Sequence, residues 1–218
     1  MIGFDVISFG RENGACLYHI THRNEMPMRL PKDYPLAVIS VYTDAWGRDL
    51  TPWPAPALRP GEEDFSGGAD EFLREWLDDA LPRMDAALGY SPRRRFTAGY
   101  SLGGLFALYA VTKSGLFSGC ACMSGSLWYP GWGEYLRTLP PEIQPERLYF
   151  SLGKKEGGTR HPVMRNVTVG FAETVRFFEA RGVPCEMVWH PGGHFQQPDA
   201  RVRAGLDYFA ALCGAKEE

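Results

Sequence analysis

Residues 95–110 read Arg-Phe-Thr-Ala-Gly-Tyr-Ser-Leu-Gly-Gly-Leu-Phe-Ala-Leu-Tyr-Ala. The aromatic and β-branched run over residues 96–100 is typical of a strand, and the apolar run that begins at Leu105 is typical of a helix. Between them, Gly99-Tyr100-Ser101-Leu102-Gly103 is a G-x-S-x-G pentapeptide. In this context it predicts a nucleophile elbow, a sharp strand-to-helix turn that exposes the Ser101 hydroxyl. The alternative is a glycine-rich turn with an incidental serine.

The segments on either side of this turn alternate between strand and helix patterns. Seven short β-branched or aromatic runs predict strands over residues 4–8, 15–21, 36–42, 96–100, 118–123, 148–152 and 185–190. Helical patterns cover residues 68–88, 102–114, 162–181 and 198–212, and Pro82 is expected to kink or split the first of them. The alternation predicts one α/β domain over residues 1–218, with a mostly parallel sheet of six to seven strands flanked by helices.

Composition and charge exclude several function classes. The net charge of −3 gives no basic field for nucleic acid, and no apolar run of about 20 residues is present to span a membrane. The N-terminus lacks the pattern of a signal peptide. Five cysteines, an odd number that lies mostly in apolar runs, predict reduced thiols and a cytoplasmic location. A homodimer is compatible with the sequence, which leaves the oligomeric state open.

A serine hydroxyl needs a base beside it to become a nucleophile, so the histidines come next. In one large class of serine hydrolases the nucleophile precedes the acid, which precedes the histidine. Three histidines follow Ser101, and His194 in the loop Pro-Gly-Gly-His-Phe is the predicted base. His190 at a strand terminus is the alternative, and His161 is expected to cap a helix start. The Pro-Gly-Gly sequence between His190 and His194 argues against a helical metal-binding pair, and no metal is expected.

The predicted acid is Glu156, which comes directly after the strand over residues 148–152. A carboxylate there holds the imidazole of the base in its reactive tautomer. The alternative is a solvated charged loop, because Lys154 and Lys155 precede the glutamate. The predicted oxyanion donors are the backbone N–H groups of Leu102, which opens the helix, and His22, which follows an early strand.

Two long loops, residues 44–66 and 124–145, follow strands and are expected at the carboxyl edge of the sheet, where open α/β folds bind ligands. Both loops contain tryptophans that either stack on a sugar or aromatic acyl group or form a small satellite core; these are Trp46, Trp53, Trp128 and Trp132. Arg48 either faces an anionic substrate or pairs with Asp49, and the pair is the favoured interpretation.

With these residues in view, the chain resembles the esterase group of α/β-hydrolases that includes Esterase D and the enterochelin-esterase-like serine esterases. The matching segments are residues 99–104, residues 148–156 and residues 191–195, while residues 46–56 and 160–166 are similar to a compact bacterial subgroup. The resemblance implies a single-domain α/β-hydrolase fold, and no separate lid domain is evident in this sequence. The glycine-rich oxyanion loop of the group is missing here.

The resemblance also implies a serine hydrolase that acts on an ester through Ser101, His194 and Glu156, with no cofactor. The expected substrate is a small soluble ester, with Trp46, Arg48, Trp53 and Trp128 as candidate binding residues. Two alternatives remain open. The same acyl-serine could serve an acyltransferase or thioesterase, or the fold could belong to a non-catalytic binding module.

Overall fold

The computed structural model describes residues 1–10, 14–24 and 28–214. The strands are β1 (Gly3–Phe9), β2 (Ala15–His22), β3 (Ala37–Thr43), β4 (Pro54–Ala55), β5 (Phe65–Ser66), β6 (Arg94–Tyr100), β7 (Gly119–Met123), β8 (Arg147–Gly153) and β9 (Cys185–His190). Seven of them form one sheet in the order β1-β3-β2-β6-β7-β8-β9, in which only β1 runs antiparallel to its neighbour. This confirms the predicted mostly parallel sheet.

Helices cover both faces of this sheet. They are α1 (Trp46–Asp49), α2 (Ala69–Glu75), α3 (Leu81–Leu88), α4 (Leu102–Lys113), α5 (Trp132–Thr138), α6 (Val167–Glu179) and α7 (Pro198–Gly214). Side chains alternate along β2, so Tyr18 and Ile20 join the core beneath α2 to α6, whereas Leu17 joins the core beneath α7. Among the described residues, no helix combines the length and the apolar character that a membrane crossing requires.

The helical region over residues 69–88 continues past a proline without a break. Residues Trp76–Ala80 between α2 and α3 form a π-helical turn, and the Leu81 N–H donates to the Trp76 carbonyl five residues earlier. Pro82 follows immediately and has no N–H to donate. The wider turn accommodates the missing donor, so the predicted disruption takes the form of a π-bulge.

The two long loops contain more regular structure than their composition predicts. The first loop holds α1 and the short β4–β5 hairpin, and the second holds α5. Helix α5 starts directly after Gly131, which adopts a left-handed conformation with φ 84°, and its Trp132 is 2% exposed. Short elements of this kind are stabilised by tertiary burial, and periodicity over so few residues does not reveal them.

Gly99 is a position where the elbow leaves no room for a side chain. A Cβ there would lie 2.2 Å from the carbonyl carbon and oxygen of Gly103 and 2.8 Å from the amide nitrogen of Gly104. Because these are backbone atoms, a larger residue would force α4 away from β6. We expect Gly99→Ala to lower the free energy of unfolding by about 3 kcal/mol, or to prevent folding.

Urea unfolding followed by circular dichroism measures this effect. The matched control is Gly115→Ala, because a Cβ at Gly115 meets nothing within 4 Å. We expect the control to change stability by no more than about 0.5 kcal/mol. Equal stability of the two variants would contradict the steric argument.

Candidate active site

Ser101 stands at the tip of the turn between β6 and α4. Its φ of 57° and ψ of −124° lie outside the regions that non-glycine residues usually occupy. Backbone hydrogen bonds hold the turn in place. The Ser101 N–H donates to the Met123 carbonyl (3.2 Å), and the Ser101 carbonyl accepts from the Ser126 N–H (2.9 Å). The strained conformation is therefore fixed by hydrogen bonds to the last residue of β7 and to the loop that follows it.

His194 lies in the loop between β9 and α7, and its ring reaches Ser101. The distance from His194 Nε2 to Ser101 Oγ is 3.1 Å, and Nδ1 lies 2.8 Å from Glu156 Oε2. The Tyr100 hydroxyl donates to the His194 carbonyl at 2.5 Å, which ties the loop to the residue before the serine. The three side chains thus form one continuous hydrogen-bonded chain.

Glu156 is buried, with a side chain only 3% exposed, in the short 3-10 turn after β8. Its second oxygen, Oε1, accepts hydrogen bonds from Ser124 Oγ (2.7 Å) and the Gly153 N–H (2.8 Å). Burial by itself raises the pKa of this carboxyl. The hydrogen bonds from His194, Ser124 and Gly153 outweigh burial and hold the pKa below its ordinary value. The side chain is therefore a carboxylate at neutral pH, as an imidazole partner requires.

Arg201 of α7 contacts the buried side of Glu156, and the sequence analysis did not predict it. Its side chain is 1% exposed. Nη1 donates to Glu156 Oε1 (2.6 Å) and Ser124 Oγ (2.8 Å), and Nη2 donates to the Gly193 carbonyl (2.8 Å). One guanidinium thus holds the acid and the loop that carries His194. The sequence shows only an arginine within a predicted helix. That its side chain faces the sheet is evident only from the structure.

Two of the cavities are lined by His194 itself. The larger, of about 470 Å³, is lined by Ser101 together with His19, Ile20, His22, Asn24, Trp46, Tyr100, His194, Phe195 and Pro198. The smaller, of about 250 Å³, is lined by Ser124, Trp128, Lys155, Glu156, Gly158, Thr159, Met164, Val167, His194 and Phe195. His194 and Phe195 form the wall that the cavities share, while Ser101 borders only the larger one.

The structure brings three of the other sequence-predicted residues to these cavities. His22 and Trp46 line the larger cavity, with ring centroids 6.1 Å apart, and Trp128 lines the smaller. Leu102 is the first residue of α4, directly after Ser101. Its N–H is one of the free donors at the start of a helix.

Two candidate substrate residues line neither cavity. Arg48 Nε pairs with Asp49 Oδ1 at 2.7 Å, which is the favoured interpretation from the sequence. Trp53 donates its Nε1–H to the Pro130 carbonyl (2.6 Å), and its ring centroid lies 6.0 Å from that of Tyr129. Trp53 joins the two long loops to each other, because the partners of its side chain are in the second loop.

The other two histidines that follow Ser101 in the chain, His161 and His190, lie outside the hydrogen-bonded chain of Ser101, His194 and Glu156. His161 Nδ1 accepts from the N–H groups of Val163 and Met164, and Nε2 lies 2.7 Å from the Leu58 carbonyl, so this ring caps a turn. His190 ends β9, and burial followed by the charge of Arg201 lowers its pKa. Within the described ranges, no group of three or more His, Cys, Asp or Glu is arranged to hold a metal ion.

A family model described as "Putative esterase" matches residues 25–197. Among known proteins, the chain is similar to the uncharacterized protein YbbA of Bacillus subtilis (strain 168), with 28% identity over 142 residues. That match covers 64% of this chain and 56% of YbbA.

Solved structures show the same fold. An IroE-like serine hydrolase from Shewanella oneidensis superposes with a TM-score of 0.74 at 17% identity, covering 96% of this chain and 75% of that one. The siderophore hydrolase EstA from Aspergillus nidulans superposes with a TM-score of 0.66 at 18% identity, covering 97% of this chain and 94% of that one. The family model spans the segments that carry Ser101, Glu156 and His194, and it confirms the resemblance inferred from the sequence. The chain therefore belongs to this esterase family.

Proposed function

We propose that this family member is a serine hydrolase that cleaves carboxylic esters through an acyl-enzyme on Ser101. The observation that carries the proposal is the continuous chain of hydrogen bonds from Ser101 Oγ to His194 (3.1 Å) and from His194 to Glu156 (2.8 Å). This arrangement lets one imidazole remove the hydroxyl proton while a carboxylate stabilises the charge that results.

The reaction has two halves. Ser101 Oγ attacks the ester carbonyl carbon as His194 Nε2 takes the hydroxyl proton, and the bond to the alcohol then breaks as His194 returns that proton to the leaving oxygen. Water next attacks the acyl-enzyme and gives its proton to His194. The bond to Ser101 Oγ breaks, His194 reprotonates the serine, and the carboxylic acid is released.

The oxyanion of each tetrahedral intermediate requires backbone donors. We assign the first to the Leu102 N–H, because the start of α4 presents a free donor and a favourable helix dipole beside Ser101. We assign the second to the backbone N–H of His22, because His22 borders the same cavity as Ser101. Together they would place two N–H groups on the developing charge.

The proposed substrates are small soluble esters. The cavity that contains Ser101 has a volume of about 470 Å³ and opens to solvent, with Trp46 as an aromatic wall. Such a cavity suits a short acyl group better than a long lipid chain. The solved relatives named for siderophore hydrolysis share the fold at low identity, so a siderophore ester is one member of the test panel and not the proposed substrate.

We expect a fluorophosphonate probe to label the folded protein at Ser101, with the adduct mapped by mass spectrometry. We also expect p-nitrophenyl acetate and butyrate to be hydrolysed with higher kcat/KM than the decanoate and palmitate. Preference for the long chains would overturn the substrate proposal. Folded protein that neither reacts with the probe nor hydrolyses any ester would favour a non-catalytic binding module.

The same acyl-serine could transfer its acyl group to an alcohol, or accept one from a thioester. Product analysis in the presence of competing alcohols, together with a thioester in the panel, separates these activities from ester hydrolysis. All five cysteines are free thiols, which is typical of a reducing compartment, and we retain the cytoplasm as the proposed location.

A further inference from the structure

His19 is a buried histidine in the wall of the larger cavity, and the proposed mechanism does not use it. It lies on β2, where its register partner on β6 is Ala98, three residues before Ser101. Only 7% of the residue's surface is exposed, yet it borders the same cavity as Ser101.

The imidazole of His19 has no hydrogen-bond or ion-pair partner among the described residues. Because His19 lines the cavity, its unpaired ring is open to a hydrogen bond with water or with a ligand there. The other histidine of β2, His22, already accepts a hydrogen bond from the Asn24 N–H. Of the two histidines that β2 contributes to this wall, His19 is the one with both ring nitrogens unpaired among the described residues.

The position of Ser101 indicates which part of an ester meets His19. The acyl group stays bonded to Ser101 after the alcohol has left, so it must occupy the cavity that Ser101 borders. The larger cavity therefore receives the acyl group.

The chemistry of His19 indicates the group that it recognises. Burial lowers its pKa to about 4, so the ring is neutral near pH 7. A neutral imidazole offers one N–H donor and one nitrogen acceptor. A hydroxyl group can satisfy either nitrogen, whereas a carboxylate only accepts and an ammonium group only donates.

We propose that His19 is a specificity residue that hydrogen-bonds a hydroxyl group on the acyl chain, and that the preferred substrates are short hydroxyacyl esters. This inference rests on the proposed ester hydrolysis by Ser101. It adds the substrate class of the acyl side, which the catalytic residues alone do not define.

The test compares kcat/KM for three methyl esters by an indicator assay of acid release. These are methyl 3-hydroxybutyrate as separate R and S enantiomers, methyl butyrate, and methyl 3-methylbutyrate, in which a methyl group replaces the hydroxyl at similar volume. We expect the wild type to prefer one hydroxy enantiomer over both other esters by about tenfold or more. The His19→Leu variant should lower that ratio to about one, because it removes both hydrogen-bonding atoms.

Two further variants separate recognition from packing. His19→Gln keeps a donor and an acceptor and should retain a preference of several-fold, and His161→Gln, at a ring outside the cavity, should leave the ratio unchanged. A wild-type kcat/KM ratio near one, or an unchanged ratio in His19→Leu, would overturn the inference about His19. Neither result would contradict the proposed ester hydrolysis. If no ester is hydrolysed and Ser101 takes no probe, the proposed function fails and this inference fails with it.

Discussion

Replacing Ser101 with alanine is expected to lower kcat for ester hydrolysis by about 10⁵-fold or more, because alanine offers no atom that can form the acyl-enzyme. Alanine is no bulkier than serine and meets the same backbone constraint at φ 57°. Folding should therefore survive the change. The measurement is initial rates on p-nitrophenyl acetate with purified variant, alongside thermal unfolding.

Ser114→Ala is the matched control, because Ser114 follows α4 at the end opposite Ser101. We expect it to keep wild-type activity and a melting temperature within about 2 °C of the wild type. Residual activity of a few per cent in folded Ser101→Ala would contradict the nucleophile assignment. Loss of activity in both variants would point to a general effect on folding.

Replacing Arg201 with methionine is expected to destabilise the protein by about 3–5 kcal/mol, because it leaves the buried Glu156 carboxylate without its cationic partner. The change also removes the hydrogen bond to the Gly193 carbonyl in the His194 loop. For a chain of this size, the melting temperature should fall by roughly 6–20 °C. Differential scanning calorimetry measures the shift.

Arg203→Met tests whether any arginine of α7 has this effect. Arg203 is 39% exposed at its side chain and pairs with Asp207 one turn along the same helix at 2.8 Å. Exposed pairs of this kind contribute about 1 kcal/mol or less. Similar melting temperatures for Arg201→Met and Arg203→Met would show that the buried Arg201–Glu156 pair contributes no more to stability than the exposed Arg203–Asp207 pair.

Local signals were sufficient for the sheet and for the turn at Ser101. Residues 96–100 have the composition of a strand, and the apolar run after Leu102 has that of a helix. A glycine two residues before Ser101 and another two residues after it indicate that the strand and the helix approach each other closely. These sixteen residues therefore predicted the strand, the elbow and the helix. The position of Glu156 followed from the rule that ligand-binding groups come after the carboxyl ends of parallel strands. These inferences need only chain order and local geometry.

Arg201 and His19 could not be predicted in the same way. An arginine in a helix is ordinarily solvated, and only the packing of α7 against the sheet turns this one toward Glu156. A histidine in a strand is ordinarily a core or surface residue, and only the fold shows that His19 lines the cavity beside Ser101 with no partner among the described residues. Likewise, whether a tryptophan lines a cavity, as Trp46 does, or joins two loops, as Trp53 does, depends on loop paths that composition does not encode.

The anchoring of the acid and the histidine loop by a residue of α7 has a consequence for biosynthesis. A ribosome completes Ser101, Glu156 and His194 before it completes α7. Until that helix docks, the carboxylate and the histidine loop lack the guanidinium that connects them. Under the proposed mechanism, a nascent chain would therefore contain its nucleophile before its proton relay is assembled, and we expect ester hydrolysis to begin only after α7 has docked.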